Sequence, residues 1–253
     1  MNFKNKVVVV DYGSQTTQLI LRRIRELGVY CEVVEAKTSS AEIVKKKPKA
    51  LILSGGPSSA FEKTSPRLDK NFLKLDIPIL GICYGMQLIC QLMGSKIKKG
   101  RIREFGKAKI QILKKNIIFD GFNNKKDYQV WMSHGDEVKD LSNKLEIIAT
   151  SGGGNVSAVA AKNKKFFGLQ FHPEVVHTKI GKKLLKNFIF KIAKIKADWK
   201  MEDFLNKQIS ILKNEIGNQK VICGLSGGVD SSVTAALLSK AIGKKLICIF
   251  VDH

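Results

Sequence analysis

The sequence is short of several things, and each shortage removes a class of protein. No apolar run approaches membrane-spanning length, although 44% of the 253 residues are hydrophobic, so a soluble globular protein is expected. The opening Met-Asn-Phe-Lys-Asn-Lys-Val leads into a strand without a secretory-signal pattern. Cysteine is scarce and unpaired: five residues, an odd number, none in a Cys-x-x-Cys pair. That argues against a disulfide framework or a structural zinc site and for a reducing, cytoplasmic setting. Acidic residues number 22 against 44 lysines and arginines, a net charge of +22. A basic surface attracts phosphate backbones. Arginine, the usual bidentate reader of bases and phosphates, nevertheless occurs only as Arg22, Arg23, Arg25, Arg67, Arg101 and Arg103. The lysines are scattered in groups such as Lys45-Lys46-Lys47, Lys98-Lys99 and Lys182-Lys183, which reads as a compositional bias on wet positions. Nucleic acid is therefore not the expected partner.

What is present is an α/β alternation. Val7-Val8-Val9-Val10-Asp11 reads as a strand buried on both faces of a parallel sheet. Leu19, Ile20, Ile24 and Leu27 give the next segment a helical stripe, with Arg22, Arg23 and Arg25 on its wet face. Strands are expected at Tyr30 to Val34, Ala50 to Leu53 and Pro78 to Ile82, and helices at Ser40 to Lys46 (capped by Ser39 or Ser40), Leu68 to Leu75 and Met86 to Met93. This alternation means a parallel sheet. After Gly94 the pattern changes to shorter strands, Lys107 to Leu113 and Gln129 to Ser133. An antiparallel pair follows, Leu145 to Thr150 and Val156 to Ala161, and then a buried strand from Phe166 to Phe171. One helix, Ile180 to Ile195, closes this unit. Beyond it an amphipathic helix (Trp199 to Glu215), a strand (Lys220 to Leu225), a loop (Ser226 to Ser232), a helix (Val233 to Ala241) and a strand (Lys245 to Val251) start a new βαβ unit. A domain boundary is placed at residue 198, giving domains 1–198 and 199–253.

Four stretches carry chemistry. Gly81-Ile82-Cys83-Tyr84-Gly85 is the thiol form of a nucleophile elbow, a tight strand-to-helix turn that presents a thiol to a helix N-terminus, which favours thiolate. The plainer reading is a small core cysteine after a glycine-rich turn. His172-Pro173-Glu174 follows a strand; the proline keeps His172 extended, and a carboxylate two residues on can orient the imidazole as a base. Ser54-Gly55-Gly56-Pro57 also follows a strand, and its amides, joined by that of Tyr84, suit an oxyanion. Ser226-Gly227-Gly228-Val229-Asp230-Ser231-Ser232 lies between a strand and a helix. It offers an anion nest for pyrophosphate, with Asp230 suited to magnesium, and lacks the Walker Gly-Lys-Ser/Thr ending. Trp131-Met132-Ser133-His134-Gly135-Asp136 says little alone, and Cys31, Cys90, Cys223 and Cys248 read as core.

The elbow through Gln87, together with Phe171-His172-Pro173-Glu174, resembles the class I (triad) glutamine amidotransferases. Asp11-Tyr12-Gly13-Ser14-Gln15, Arg22 to Tyr30, Trp131 to Asp136 and His172 to Thr178 narrow the resemblance to the GMP synthase family. The Ser226–Ser232 loop is similar to that of N-type ATP pyrophosphatases. The resemblance implies a flavodoxin-like amidotransferase domain with a mostly parallel central sheet. The first βαβ unit of a Rossmann-like ATP pyrophosphatase domain is implied to follow it. It implies Cys83 as nucleophile, His172 as proton carrier, Glu174 as its orienter, and Gly56 with Tyr84 as oxyanion donors. Gln87, His134 and Asp136 are implied to line a glutamine pocket. The cofactors are ATP and Mg2+; the substrates are glutamine, ATP and xanthosine 5′-phosphate (XMP).

Family members form homodimers through a C-terminal domain, expected to be absent here together with the XMP site. The chain alone is thus expected at most to hydrolyse glutamine, with residues 199–253 too few to bury a core. Two departures stand out: Thr16 occupies a position usually aromatic, and Ser151–Asn155 is glycine-rich where proline is usual. The other readings are a stand-alone triad glutaminase, which the Ser226–Ser232 loop disfavours, and a basic nucleic-acid-binding protein on the same fold.

Overall fold

The computed structural model describes residues 5–62, 64–163 and 165–250, and for 101 and 102 the backbone alone. The chain divides into two compact units, 1–198 and 199–253.

The first unit is built on the run of valines. Val7, Val8, Val9 and Val10 are all 0% exposed, because strand β1 (Lys6–Asp11) pairs in parallel with β2 (Tyr30–Glu35) on one side and β3 (Ala50–Leu53) on the other. Successive side chains of a strand face opposite ways, and the two faces feed separate cores. Val7 and Val9 pack with Ile20, Ile24, Phe167 and Phe188, whereas Val8 and Val10 pack with Met86, Ile89 and Phe166. The parallel half continues through β4 (Ile79–Ile82) to β9 (Phe166–Leu169). Four antiparallel strands then complete a nine-stranded mixed sheet of order β2-β1-β3-β4-β9-β8-β7-β5-β6. These are β5 (Lys96–Ile112), β6 (Asp127–Asp140), β7 (Leu145–Ser151) and β8 (Val156–Ala161).

Several elements differ from expectation. β5 and β6 are far longer than the two short strands expected, and their pairing shifts register between Lys99 and Glu104. The added part of β5 is Lys-rich, so no apolar alternation advertises it. In α1 (Thr17–Glu26) the buried residues are Thr17, Ile20, Leu21 and Ile24, and Leu19 is half-buried. Helix α2 (Ser40–Lys45) is capped by Ser39, with Glu42 reciprocating in a capping box. The helix expected at Leu68 to Leu75 is a 3₁₀ segment, Lys70–Lys74, entered through Asp69. The closing helix is not continuous: α4 (Gly181–Lys186) passes into a π-helical turn, Asn187–Ile192. The buried Asn187 amide explains the break, since it donates to the carbonyls of Ile118 (2.9 Å) and Asp120 (3.0 Å), and a π-turn adjusts register to keep such a bond.

The second unit contains α5 (Met201–Ile216), β10 (Val221–Leu225), α6 (Val229–Ile242) and β11 (Leu246–Phe250), with β10 and β11 parallel. Helix α6 starts at Val229, so Val229, Asp230, Ser231 and Ser232 form its first turn rather than a loop. Cys248, expected in the core, is exposed; a unit this small buries few side chains. Val251 of the expected strand lies outside the described residues. No helix of the described residues is long and apolar enough to cross a membrane.

Candidate active site

The carboxyl ends of β1, β3, β4 and β9 converge, the position where open α/β sheets form their sites. Cys83 stands between β4 and α3 (Tyr84–Leu92) with φ 51° and ψ −107°. This is a left-handed conformation that a side chain adopts only under constraint. The flanking glycines supply the constraint. A Cβ at Gly81 would lie 2.4 Å from Gly85 O, and one at Gly85 would lie 2.4 Å from Leu53 O. No larger residue fits either place. The turn leaves the Cys83 sulfur 3.6 Å from Ser133 O and 3.7 Å from Gln170 Nε2.

His172 and Glu174 meet across a 2.7 Å bond, Nδ1 to Oε1. Both are buried, at 7% and 0% exposure. The carboxylate accepts a hydrogen bond from Nδ1–H, which leaves Nε2 to exchange a proton with a thiol. A methyl at Gly55 would lie 3.0 Å from His172 Cε1 and 3.6 Å from Cys83 Cβ, so imidazole and cysteine flank one narrow gap. Burial pushes the proton affinity of His172 down, but its interactions with Cys83 and Glu174 outweigh that and raise its pKa from 6.5 to about 10. The segment is pinned from outside as well. His172 N–H donates to Trp131 O (3.0 Å). Gly181 packs so tightly that a Cβ there would sit 1.9 Å from Pro173 O.

Gly56 also has no room for a side chain: a Cβ would meet Tyr12 O at 2.6 Å. The buried Ser54 hydroxyl accepts the Tyr12 amide (2.9 Å) and donates to Gly55 O (2.7 Å). In a trans peptide the carbonyl and the next N–H point oppositely, so Gly56 N–H points away from Ser54. Gly56 and Tyr84 both line the cavity of about 340 Å³ at Cys83. Among the described residues no acceptor takes the amide of Gly56 or of Tyr84.

Gln87, His134 and Asp136 line the same cavity. Gln87 Nε2 donates to Gln170 Oε1 (3.3 Å) and, at 3.5 Å, to Asp136 O. His134 Nδ1 is 2.9 Å from Asp136 O, and its Nε2 is 3.2 Å from Glu104 Oε2. Ser59 donates to the Asp136 carboxylate. Gln170 and Glu104 were not among the sequence candidates. Gln170 could have been found, because residues 170 and 172 of an extended run share a face. Glu104 lies on the part of β5 that no pattern disclosed. Cys31 and Cys90 are buried away from the cavity, and burial pushes their thiols up to about 11 and about 12.

In the second unit, Gly227 takes φ 75°. Ser231 and Ser232 hydroxyls return to Gly228 O (3.0 and 2.9 Å), and Ser226 N–H donates to Ser231 Oγ (3.3 Å). The loop thus turns its backbone toward the start of α6, a geometry suited to phosphate oxygens. Asp230 lies exposed on that first turn. Among the described residues no three His, Cys, Asp or Glu side chains gather into a metal site. Asp230 thus fits magnesium only as a single carboxylate beside phosphate oxygens and water.

Comparison with known proteins identifies the family of each unit. The family described as glutamine amidotransferase class-I matches residues 8–192, and that described as NAD synthase matches residues 199–251. GMP synthase [glutamine-hydrolyzing] of Clostridium novyi is 50% identical over 247 residues, 98% of this chain and 48% of the relative. The Brachyspira hyodysenteriae protein of that name is 49% identical over 249 residues, again 98% of this chain and 48% of the relative. The chain therefore spans about half the length of the curated relatives it matches. Among solved structures, a candidate GMP synthase subunit of Thermoplasma acidophilum aligns with TM-score 0.65 and 30% identity, covering 77% of this chain and 96% of that one. A glutamine amidotransferase of Thermotoga maritima shares the fold at TM-score 0.62 and 20% identity, over 76% of this chain and 99% of its own. By the match over residues 8–192 and the elbow, imidazole and carboxylate found within it, this chain belongs to the class-I glutamine amidotransferase family.

Proposed function

We propose that this chain hydrolyses glutamine with Cys83 as nucleophile, and that the ammonia serves glutamine-dependent GMP synthesis of the kind named in its relatives. The reading rests above all on the 2.7 Å His172–Glu174 pair beside a cysteine held at φ 51°. With the proton held on His172 Nε2, the Cys83 sulfur attacks the side-chain amide carbon of glutamine. The resulting oxyanion sits on the amides of Gly56 and Tyr84. Collapse passes the His172 proton to the leaving nitrogen and releases ammonia, leaving a γ-glutamyl thioester. His172 then takes a proton from water, which attacks the thioester; glutamate departs and the thiol is restored. Glu174 keeps the imidazole in the required tautomer throughout. Gln87, His134 and Asp136, on the cavity wall, are assigned to hold glutamine. Gln170 directs an N–H at the sulfur (3.7 Å).

The Ser226–Ser232 segment is assigned to the pyrophosphate of ATP, through the amides of Gly227, Gly228 and Val229 and the hydroxyls of Ser226, Ser231 and Ser232. Magnesium would supply charge neutralisation on those phosphates, with Asp230 as its protein ligand. In this scheme ATP activates XMP by adenylation, and ammonia displaces AMP to give GMP. The XMP site and the homodimer contact are assigned to the half of the relatives that this chain does not span. Domain limits of 1–198 and 199–253 and a cytoplasmic setting complete the proposal. All five cysteines are free, as a reducing compartment requires. Glutamate release by the purified chain, abolished by Cys83→Ala, is the expected result. Absence of release together with failure of Cys83 to react with a glutamine-like chloroketone would reject the reading.

A further inference from the structure

We infer that Thr16 is a positioning residue for the Cys83–His172–Glu174 site, holding the Glu174 carboxylate against the imidazole. Thr16 is the N-cap residue of α1, where a threonine hydroxyl ordinarily accepts a backbone N–H of the first turn. Here the side chain makes no capping bond. Its Oγ1 instead lies 2.6 Å from Glu174 Oε1, the same oxygen that takes His172 Nδ1 at 2.7 Å.

The directions of these bonds follow from the donors. An ionised carboxylate only accepts, so Thr16 must donate its hydrogen to Glu174. The 2.9 Å contact between Ser14 Oγ and Thr16 Oγ1 must then be donated by Ser14. Ser14 Oγ in turn accepts Thr16 N–H at 3.2 Å. A one-way chain results, from the Thr16 amide through Ser14 and Thr16 hydroxyls to Glu174. Such chains polarise one another. The other carboxylate oxygen, Oε2, is buried and has no hydrogen-bond partner among the described residues. Among the described residues, Thr16 and His172 are therefore the hydrogen-bond donors that turn the Glu174 carboxylate. Arg23, from the same helix, donates to the Glu174 backbone carbonyl (3.1 Å) and not to its side chain.

Thr16 does not touch the reacting atoms; it acts through Glu174. The inference rests on the proposed glutaminase reading, and its test has one arm that needs no glutamine. Thr16→Val keeps the shape and removes the O–H; Thr16→Ser restores it. Because the side chain does not cap α1, Thr16→Val should keep the wild-type melting temperature within a few degrees. It should lower kcat for glutamate release about tenfold, the equivalent of roughly 1.4 kcal/mol, with KM unchanged within about twofold. Iodoacetamide alkylation of Cys83 at neutral pH should slow in parallel, and Thr16→Ser should recover both rates. Wild-type rates in Thr16→Val, or Thr16→Ser as slow as Thr16→Val, would overturn the inference. If the wild-type chain releases no glutamate and Cys83 does not react with a glutamine-like chloroketone, the functional reading fails, and the alkylation rates of the three proteins still decide the role of Thr16.

Discussion

Replacing Glu174 by glutamine tests the site at its most buried point. The carboxylate is 0% exposed and accepts two hydrogens on Oε1, from His172 Nδ1 and Thr16 Oγ1, while Oε2 accepts none among the described residues. A glutamine can be seated in two ways. With its oxygen toward His172, both hydrogen bonds survive, but the NH2 group lands where Oε2 was and finds no acceptor. An unsatisfied buried donor costs about 1–3 kcal/mol of stability. With its NH2 toward His172, donor faces donor. The Nδ1 proton must then move to Nε2, where the imidazole can no longer accept from Cys83. In the first seating the buried imidazolium also loses its counter-charge, a loss of about 3 kcal/mol in the transition state, or roughly 150-fold in rate. We therefore expect Glu174→Gln to fold, to melt a few degrees lower, and to release glutamate about a hundredfold more slowly or worse. Steady-state glutamate release alongside calorimetry reads both effects. Activity within threefold of wild type would refute the assignment of Glu174 as orienter.

Three further outcomes follow from the same coordinates. Gly85→Ala places a methyl 2.4 Å from Leu53 O, so the elbow must shift by about 1 Å. A shift of that size costs about a hundredfold in activity, and the overpacking costs about 1–3 kcal/mol by urea titration; wild-type activity and stability would contradict it. His172 has its pKa raised to about 10 in the fold. The stability it contributes is therefore complete below about pH 6.5 and is lost as pH rises through about 10. The stability gap between wild type and His172→Gln should accordingly narrow by about 1.4 kcal/mol per unit from pH 7 to 9, and a gap that widens would contradict the shift. In residues 199–250 only Trp199, Cys223, Leu238 and Ala241 are buried among the described residues. Amide exchange across β10 and β11 should therefore be much faster than across β1, β3 and β4, and equal protection would count against this.

Much of this was legible in the sequence, for identifiable reasons. The valines of β1 were readable because a strand with both faces buried has no polar alternation to confuse it. The elbow was readable because its glycines have no substitute: backbone oxygens stand 2.4 Å from where their Cβ atoms would be. Three features were not readable. The Lys-rich half of β5 carries no apolar alternation, and so Glu104, which faces His134 at 3.2 Å, went unseen. The π-turn at Asn187 depends on the carbonyls of Ile118 and Asp120, far away in sequence. Thr16 stood out only as an unusual residue in a motif, because the carboxylate it serves lies 158 positions on.

The central claim is that Cys83 alone, among five cysteines, is a reactive thiol presented to glutamine. Treating the chain with a glutamine-like chloroketone and mapping the adduct by peptide mass spectrometry tests it most directly. One equivalent on Cys83, blocked by glutamine and slowed in His172→Gln, is the predicted result. An adduct on another cysteine, or labelling of Cys83 that ignores both glutamine and His172, would contradict the account.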